Sequence, residues 1–280
     1  MTDSTRTFEL GAARVTIINI GDVTAALQDW ITLPEAERPP DHAEVFGRPM
    51  QVPHQCVHIA LNGRSILVDA GRMVPPGPPP FDPDATRLMA GLAAAGARPE
   101  DITDLVITHA HWDHFNASTR PGDGAGFAPR FPNARVFLGR PDWEAACRGE
   151  AWQNPDSLER TTFGVLHEAR LLTPVDGDLD LDNGIKIIAA PGESPGHQML
   201  RIRTGGYTLF CVGDLYHHTL EVERPAWMVH WAEPVSNQAS RAAFARDALA
   251  SNALLHAAHI PGVGRLHEAG PGVTWASLPR

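Results

Sequence analysis

The sequence predicts an α/β protein in which two β-sheets pack face to face and helices cover both outer surfaces. Three observations carry that expectation. Apolar, β-branched runs of strand length fall into two sets along the chain. Ala/Leu-rich helical stretches are interspersed in each set, and no low-complexity linker separates them. The 280 residues therefore read as one domain, 1–280.

The first set opens with a strand over Arg14 to Ile20. A hairpin follows, Val57 to Leu61 and Ser65 to Asp69, turned by Asn62-Gly63. Between them, Trp30 to Pro53 is rich in proline and charge and reads as a long surface loop. Pro75 to Pro80 is a second loop, because proline cannot donate to a helix or a central strand. Asp84 to Ala97 reads as a helix closed by Gly96 and Pro99, and Asp104 to Thr108 as a short buried strand. Ala134 to Leu138 is a strand and Asp142 to Arg148 begins a helix. The second set comprises strands at Gly184 to Ala189, Gln198 to Arg203 and Tyr207 to Val212. A long helix is expected over Asn237 to Leu255.

Composition narrows the function. Apolar residues are 43% and charged residues 20%, enough for a sizeable core. Lys and Arg number 23 against 33 Asp and Glu, a formal charge of −10, which disfavours binding a nucleic-acid backbone. No apolar run approaches the ~20 residues of a membrane span, and residues 1–8 lack a secretory pattern. Cys56, Cys147 and Cys211 are far apart and form no CxxC, so neither disulfides nor a thiolate zinc site is indicated. A cytoplasmic protein is the expectation, with no nucleic acid and no membrane as partner. A homodimer is left open.

The 14 histidines decide the rest. His109-Ala-His111-Trp-Asp113-His114 lies where the Asp104–Thr108 strand must leave its sheet, a usual place for chemistry. In extended chain, His109 and His111 project to one side and can grip one ion. Asp113 and His114 are adjacent, so their side chains diverge and can reach a second. Imidazoles mixed with a carboxylate suit zinc, iron or manganese. The alternative, a solvated turn that happens to be polar, explains one histidine better than this cluster.

Thr108 to His114 resembles the H-x-H-x-D-H signature of the metallo-β-lactamase superfamily. Further elements follow in that family's order: Pro191 to His197 resembles its Gly/Pro-rich turn ending in a metal histidine. Val212-Gly-Asp214 resembles the position of its bridging aspartate, and Ala258-His259-Ile-Pro261 its last metal histidine. Leu67 to Gly71 matches an early structural motif, so the resemblance covers residues 55–265. It implies an αββα sandwich of two mixed sheets with the metals at one edge. It also implies two divalent ions, zinc foremost, with iron or manganese as alternatives. His109, His111 and His197 would hold one ion and Asp113, His114 and His259 the other. Asp214 would bridge, and Asp113 and Asp214 would be the catalytic carboxylates. A hydroxide shared by two cations has a pKa near neutrality and can attack an ester-like centre.

One departure stands out. The family turn often carries another histidine where this chain has Glu193, which either orients a metal-bound imidazole through a hydrogen bond or is merely solvated, the latter preferred. His54 and His58 are four apart, a spacing that does not unite them on one metal. Tyr216, His217 and Trp112 are substrate-contact candidates, while the roles of His217 and His218 stay open. His42, His167, His230, His256 and His267 have no companion pattern.

Within the family, loops set the substrate. His-x-His rather than His-x-Glu argues against the flavin-linked oxygen reductases, and the acidic charge against a nuclease. The lack of an export pattern argues against a secreted β-lactamase. The layout of Gly213 to His217 and Ala257 to Gly262 resembles the lactonase and organophosphate-hydrolase branch. A small lactone or other ester-like substrate is expected. The alternatives are a mononuclear-iron sulfur dioxygenase or a thioesterase of the glyoxalase II type. Trp30, Phe46, Met50, Phe81, Trp112, Trp227 and Trp231 are candidates for an apolar pocket, although at least half of such aromatics ordinarily belong to core or loop packing. Segments 27–53 and 72–83 would form its wall and lid.

Overall fold

The structure, a computed structural model, describes residues 5–35, 44, 46–71, 85–124, 126–270 and 272–278. The expected lid at 72–83, with Phe81 and the proline run 75–80, lies outside the described residues, as does His42.

Two seven-stranded sheets form in chain order. The first holds β1 (Thr5–Leu10), β2 (Ala13–Ala25), β3 (Met50–Leu61), β4 (Arg64–Val68), β5 (Asp104–Val106), β6 (Arg135–Gly139) and β7 (Leu172–Val175). It is antiparallel from β1 to β4 and parallel from β4 to β7. The second holds β8 (Leu179–Asp182), β9 (Ile185–Ala189), β10 (Gln198–Thr204), β11 (Tyr207–Cys211), β12 (Leu254–His256), β13 (Gly264–Ala269) and β14 (Gly272–Ser277). Only β11 and β12 pair parallel there, so both sheets are mixed.

Both faces of these strands are apolar because both are covered. Successive side chains alternate between faces. Ile17, Ile66, Val68 and Phe137 point into the core shared with Ile187, Leu200, Leu209 and Cys211 of the second sheet. Their neighbours Ile18, Leu67, Val136 and Leu138 point outward. They pack there against Leu88 and Leu92 of α1 (Thr86–Ala94) and against Phe115 and Phe163. On the other surface, Met199 and Phe210 meet Phe244 and Ala248. The expected helix–sheet–sheet–helix layering is what the chain adopts.

Two boundaries differ from expectation. The long helix, α4 (Pro234–Ala250), stops short of Leu255. Its alanine periodicity gives no stop signal, but Asn252 takes a left-handed φ of 46° and Leu254–His256 pairs with β11. The supposed loop 30–53 contains Ile31–Thr32, paired with Met228–Val229, and the start of β3. Pro53 is tolerated because β4 pairs only with residues 57–61, leaving that part of β3 with one unpaired edge. The Asn62-Gly63 turn has both φ positive, 52° and 75°, as the tight hairpin requires. Among the described residues no helix is long and apolar enough to cross a membrane.

Candidate metal centre

The site is assembled where β5, β11 and β12 end and β10 begins. Thr108 leaves β5 with its N–H donated to Asp69 Oδ1 at 2.7 Å and its hydroxyl to Asp69 Oδ2 at 3.0 Å. His111 stays extended and precedes the single turn α2 (Trp112–Phe115), which carries Asp113 and His114. The motif after β4 clamps this turn from below: Ala70 N–H donates to His114 O at 2.8 Å and Ala117 N–H to Ala70 O at 2.7 Å. Gly71 must be glycine there, since a Cβ would stand 1.8 Å from Asp113 O.

Three histidines have one ring nitrogen fixed by the scaffold. Nδ1–H donates to Asp69 Oδ2 in His114 (2.9 Å), to Pro53 O in His259 (2.9 Å) and to Ala190 O in His197 (3.1 Å). Each bond fixes a proton on Nδ1, so it is Nε2 that turns to the site.

These nitrogens and the site carboxylates converge. Asp214 Oδ2 lies 3.1 Å from His259 Nε2, 3.1 Å from His217 Nε2 and 3.3 Å from His114 Nε2. Asp113 Oδ2 lies 3.2 Å from His54 Nε2 and 3.5 Å from His259 Nε2. His109 Nε2 and His111 Nδ1 are 2.9 Å apart. Three tight donor groups result: His109, His111, Glu193 and Asp214; His114, Asp214 and His259; His54, Asp113 and His259. Six of the seven expected ligands fall in these groups. His197 lies beside them, its ring 5.4 Å from that of His109, and its Nε2 accepts the Asp214 N–H at 3.2 Å.

Electrostatics follow from burial set against these neighbours. Burial opposes charge on His114 and His259, yet Asp214 and Asp113 outweigh it. They hold His114 well above its ordinary value and His259 at about 9. Burial wins at His109, which is pushed well below the ordinary value, helped by His114 and His111. Asp214 resists its own burial through His259, His114 and His217 and stays ionised.

The donor set fits divalent cations. His114 Nε2, Asp214 Oδ1 and Glu193 Oε2, all in the cluster, are buried without a hydrogen-bond partner. Such atoms are costly in a protein interior, and ions bound among them remove that cost.

A cavity of about 390 Å³ opens above the cluster. Its floor includes His111, Asp113, Asp214, His217 and His259, and its walls include Val23, Val52, Trp30, Trp112 and Trp231. Each tryptophan flanks a site histidine: Trp30 and His217 at 6.3 Å, Trp112 and His54 at 6.2 Å, Trp231 and His111 at 5.9 Å between ring centroids.

Other candidates go elsewhere. Tyr216 is buried beneath the Arg241 guanidinium, 4.8 Å away, and does not line the cavity. Phe46 and Trp227 pack into a small core with Leu27, Ile31 and Leu33, against which Met50 rests. His58 pairs with Ser65 Oγ at 2.8 Å, away from His54, in accord with their spacing.

Sequence reasoning undervalued three residues. Glu193, read as solvated, is 2% exposed, with Oε1 3.0 Å from His111 Nδ1. His54 reaches the site because β3 runs unbroken through residues read as loop. Asp142 joins two motif loops and resembled an ordinary helix-start acid. No pattern marks it.

A family model of the metallo-beta-lactamase superfamily matches residues 50–259. An N-acyl homoserine lactonase of Bacillus cereus is 29% identical over 132 residues, 46% of this chain and 45% of that protein. The Bacillus thuringiensis counterpart is 28% identical over 118 residues, 42% of this chain and 40% of that protein. The matches thus span less than half the length of these curated relatives. Among solved structures, the hydrolase AbOPH superposes with a TM-score of 0.80 at 18% identity, covering 100% of this chain and 99% of its own. AidC, a dizinc quorum-quenching lactonase, superposes with a TM-score of 0.76 at 20% identity, covering 99% and 98%. At such identities these superpositions establish the fold.

Proposed function

The chain belongs to the metallo-beta-lactamase superfamily, and from that premise we propose that it is a dinuclear-metal-dependent hydrolase of a lactone or similar uncharged ester. The observation that carries the reading is Asp214. Its Oδ2 collects three imidazole nitrogens within 3.3 Å on the floor of a tryptophan-walled cavity. We assign His109, His111 and His197 to one ion, Asp113, His114 and His259 to the other, and Asp214 to both. Zinc is the first choice, by analogy with the dizinc lactonase of the same fold. When bound, two such ions supply an activated water at neutral pH and positive charge opposite a developing oxyanion.

The chain's own residues do the rest. Asp69, Pro53 O and Ala190 O hold His114, His259 and His197 in the ligating tautomer. His217 Nε2 faces the cluster and is placed to donate to a substrate oxygen once its present partner, Asp214, is engaged elsewhere. Trp30, Trp112 and Trp231 offer apolar surface to an acyl or aryl group. No Lys or Arg lines the cavity among the described residues, which favours an uncharged substrate. The similarity to N-acyl homoserine lactonases supports the lactone choice.

The test is a panel assay of metal-loaded protein against a lactone series, an aryl ester, a phosphotriester, a glutathione thioester and a persulfide. Lactone turnover that is abolished in His109→Ala is the expected result. Persulfide oxidation with lactones untouched would replace this reading by the iron dioxygenase, and preference for the thioester by the glyoxalase type.

A further inference from the structure

We propose that Glu193 is an additional metal ligand, a carboxylate donor to the ion on the His109–His111 side, anchored by Trp231 of the cavity wall. The inference rests on the two-ion reading above and adds a ligand to it.

Glu193 has a fully buried side chain. Its Oε1 accepts the Trp231 Nε1–H at 2.7 Å and lies 3.0 Å from His111 Nδ1. Its Oε2 lies 3.4 Å from His109 Nε2 and has no hydrogen-bond partner. Among the described residues its ion pairs are with those two histidines alone. A buried carboxylate with one oxygen unsatisfied is expensive unless a cation meets it. One donor atom each from His109, His111, Glu193 and Asp214 lie within 4.8 Å of one another, a spacing at which one ion can bind all four.

The backbone holds Glu193 in this place. Pro191 O accepts the Ser240 hydroxyl at 2.7 Å and Gly192 O accepts the Glu233 N–H at 2.7 Å, so the N-terminal part of α4 clamps the turn. The side chain is thereby turned inward, opposite to the solvated role expected for a polar residue in a Gly/Pro-rich loop.

With Glu193 added to His109, His111, His197 and Asp214, this half-site has two carboxylates beside its imidazoles instead of one. Carboxylate donors suit manganese, whereas imidazoles suit zinc. Removing the Glu193 carboxylate should therefore weaken manganese on this side more than zinc. Because Trp231 also lines the cavity, its hydrogen bond ties the ligand to the substrate wall.

The experiment is elemental analysis of holoprotein dialysed against graded chelator, with Zn²⁺ and Mn²⁺ as separate probes, for wild type, E193Q, E193D and W231F. Wild type should hold two ions. E193Q should lose at least about tenfold in affinity for one ion, with the other unchanged, and more for Mn²⁺ than for Zn²⁺. W231F keeps the carboxylate and should lose less. The visible spectrum of Co²⁺-loaded protein should change in E193Q, which a merely structural role would not produce. If E193Q does not fold, E193D carries the same test through its shortened reach. Two ions with unchanged affinities and an unchanged cobalt spectrum in the Glu193 variants would overturn the assignment while leaving the two-ion reading intact. Fewer than two ions in wild type would overturn both.

Discussion

Asp142 Oδ1 accepts the backbone N–H of Gly196 at 2.6 Å, and through that bond α3 (Arg140–Arg148) holds the turn that ends in His197. The other carboxylate oxygen accepts the Ala110 N–H at 2.9 Å and the Ser194 hydroxyl at 2.8 Å. One side chain, 2% exposed, thus fixes the spacing between the His109–His111 segment and the Glu193–His197 turn. Asp142→Ala should leave both loops with unsatisfied buried donors and lower metal affinity by ~10- to 100-fold, as outer-sphere partners typically do. Chelator competition measures it. Affinity within a factor of two of wild type would mean that the loops hold their spacing unaided.

Asp69 makes a sharper test because its bonds are directional. Its Oδ2 must accept from His114 Nδ1–H, and that bond leaves His114 Nε2 free for a metal. In Asp69→Asn, Oδ1 can still accept from Thr108 N–H, but the amide nitrogen then faces the imidazole as a donor. The imidazole must present a lone pair at Nδ1, so its proton moves to Nε2, where the ion would bind. The variant should fold with little change in secondary structure yet lose one ion by elemental analysis. Retention of two ions at wild-type affinity would show that the tautomer is set elsewhere.

These two residues also show what the sequence could and could not reveal. Ligand-type residues concentrated in six positions after a short apolar strand made the site legible, because closely spaced imidazoles and a carboxylate are a recognisable metal-binding pattern. The two strand sets made the layers legible through period-two burial, as Ile17 and Ile18 illustrate by packing on opposite faces. Asp142 lies 32 residues from Ala110 and 54 from Gly196, and nothing local distinguishes it from an ordinary helix-start acid. Glu193 and His54 were misjudged for a similar reason. The burial of one and the strand continuation behind the other are set by tertiary contacts, which local pattern does not encode.

His58, away from the metal cluster, governs part of the acid response. Burial, assisted by the Arg14 guanidinium, lowers its pKa to about 4. In the unfolded chain the ring titrates near 6.5. The stability from the neutral ring is therefore fully present above pH 6.5 and is lost as pH falls towards 4, because the unfolded chain takes the proton first. The loss approaches ~3 kcal/mol at the lower end. His58→Gln, which can still bond Ser65 Oγ, should show a smaller drop in Tm between pH 7 and pH 4.5 than wild type. Equal drops in the two proteins would remove His58 from the account.

The last prediction concerns the segment that presents His217. Glu221, fully buried, accepts the His217 N–H at 2.5 Å and the His218 N–H at 2.9 Å through Oε2, while Oε1 pairs with Arg241 Nη2 at 2.5 Å. Arg241 is itself 3% exposed and donates to Leu215 O at 2.9 Å and to Trp227 O at 2.7 Å. The pair thus holds the chain just after Asp214 from two sides. Removing one partner of a buried ion pair leaves an uncompensated charge and costs ~3–5 kcal/mol. Arg241→Met should therefore destabilise the protein by that amount in urea titrations. Arg241→Met with Glu221→Leu should recover part of the loss but not all, since the two backbone N–H groups then lack their acceptor. The functional signature is separate from stability. At a temperature where the variant is fully folded and metal-loaded, displacement of His217 should lower kcat more than it raises KM. A single variant within ~1 kcal/mol of wild type would mean that water has entered to solvate Glu221. An unchanged kcat would mean that His217 does not depend on this pair for its position.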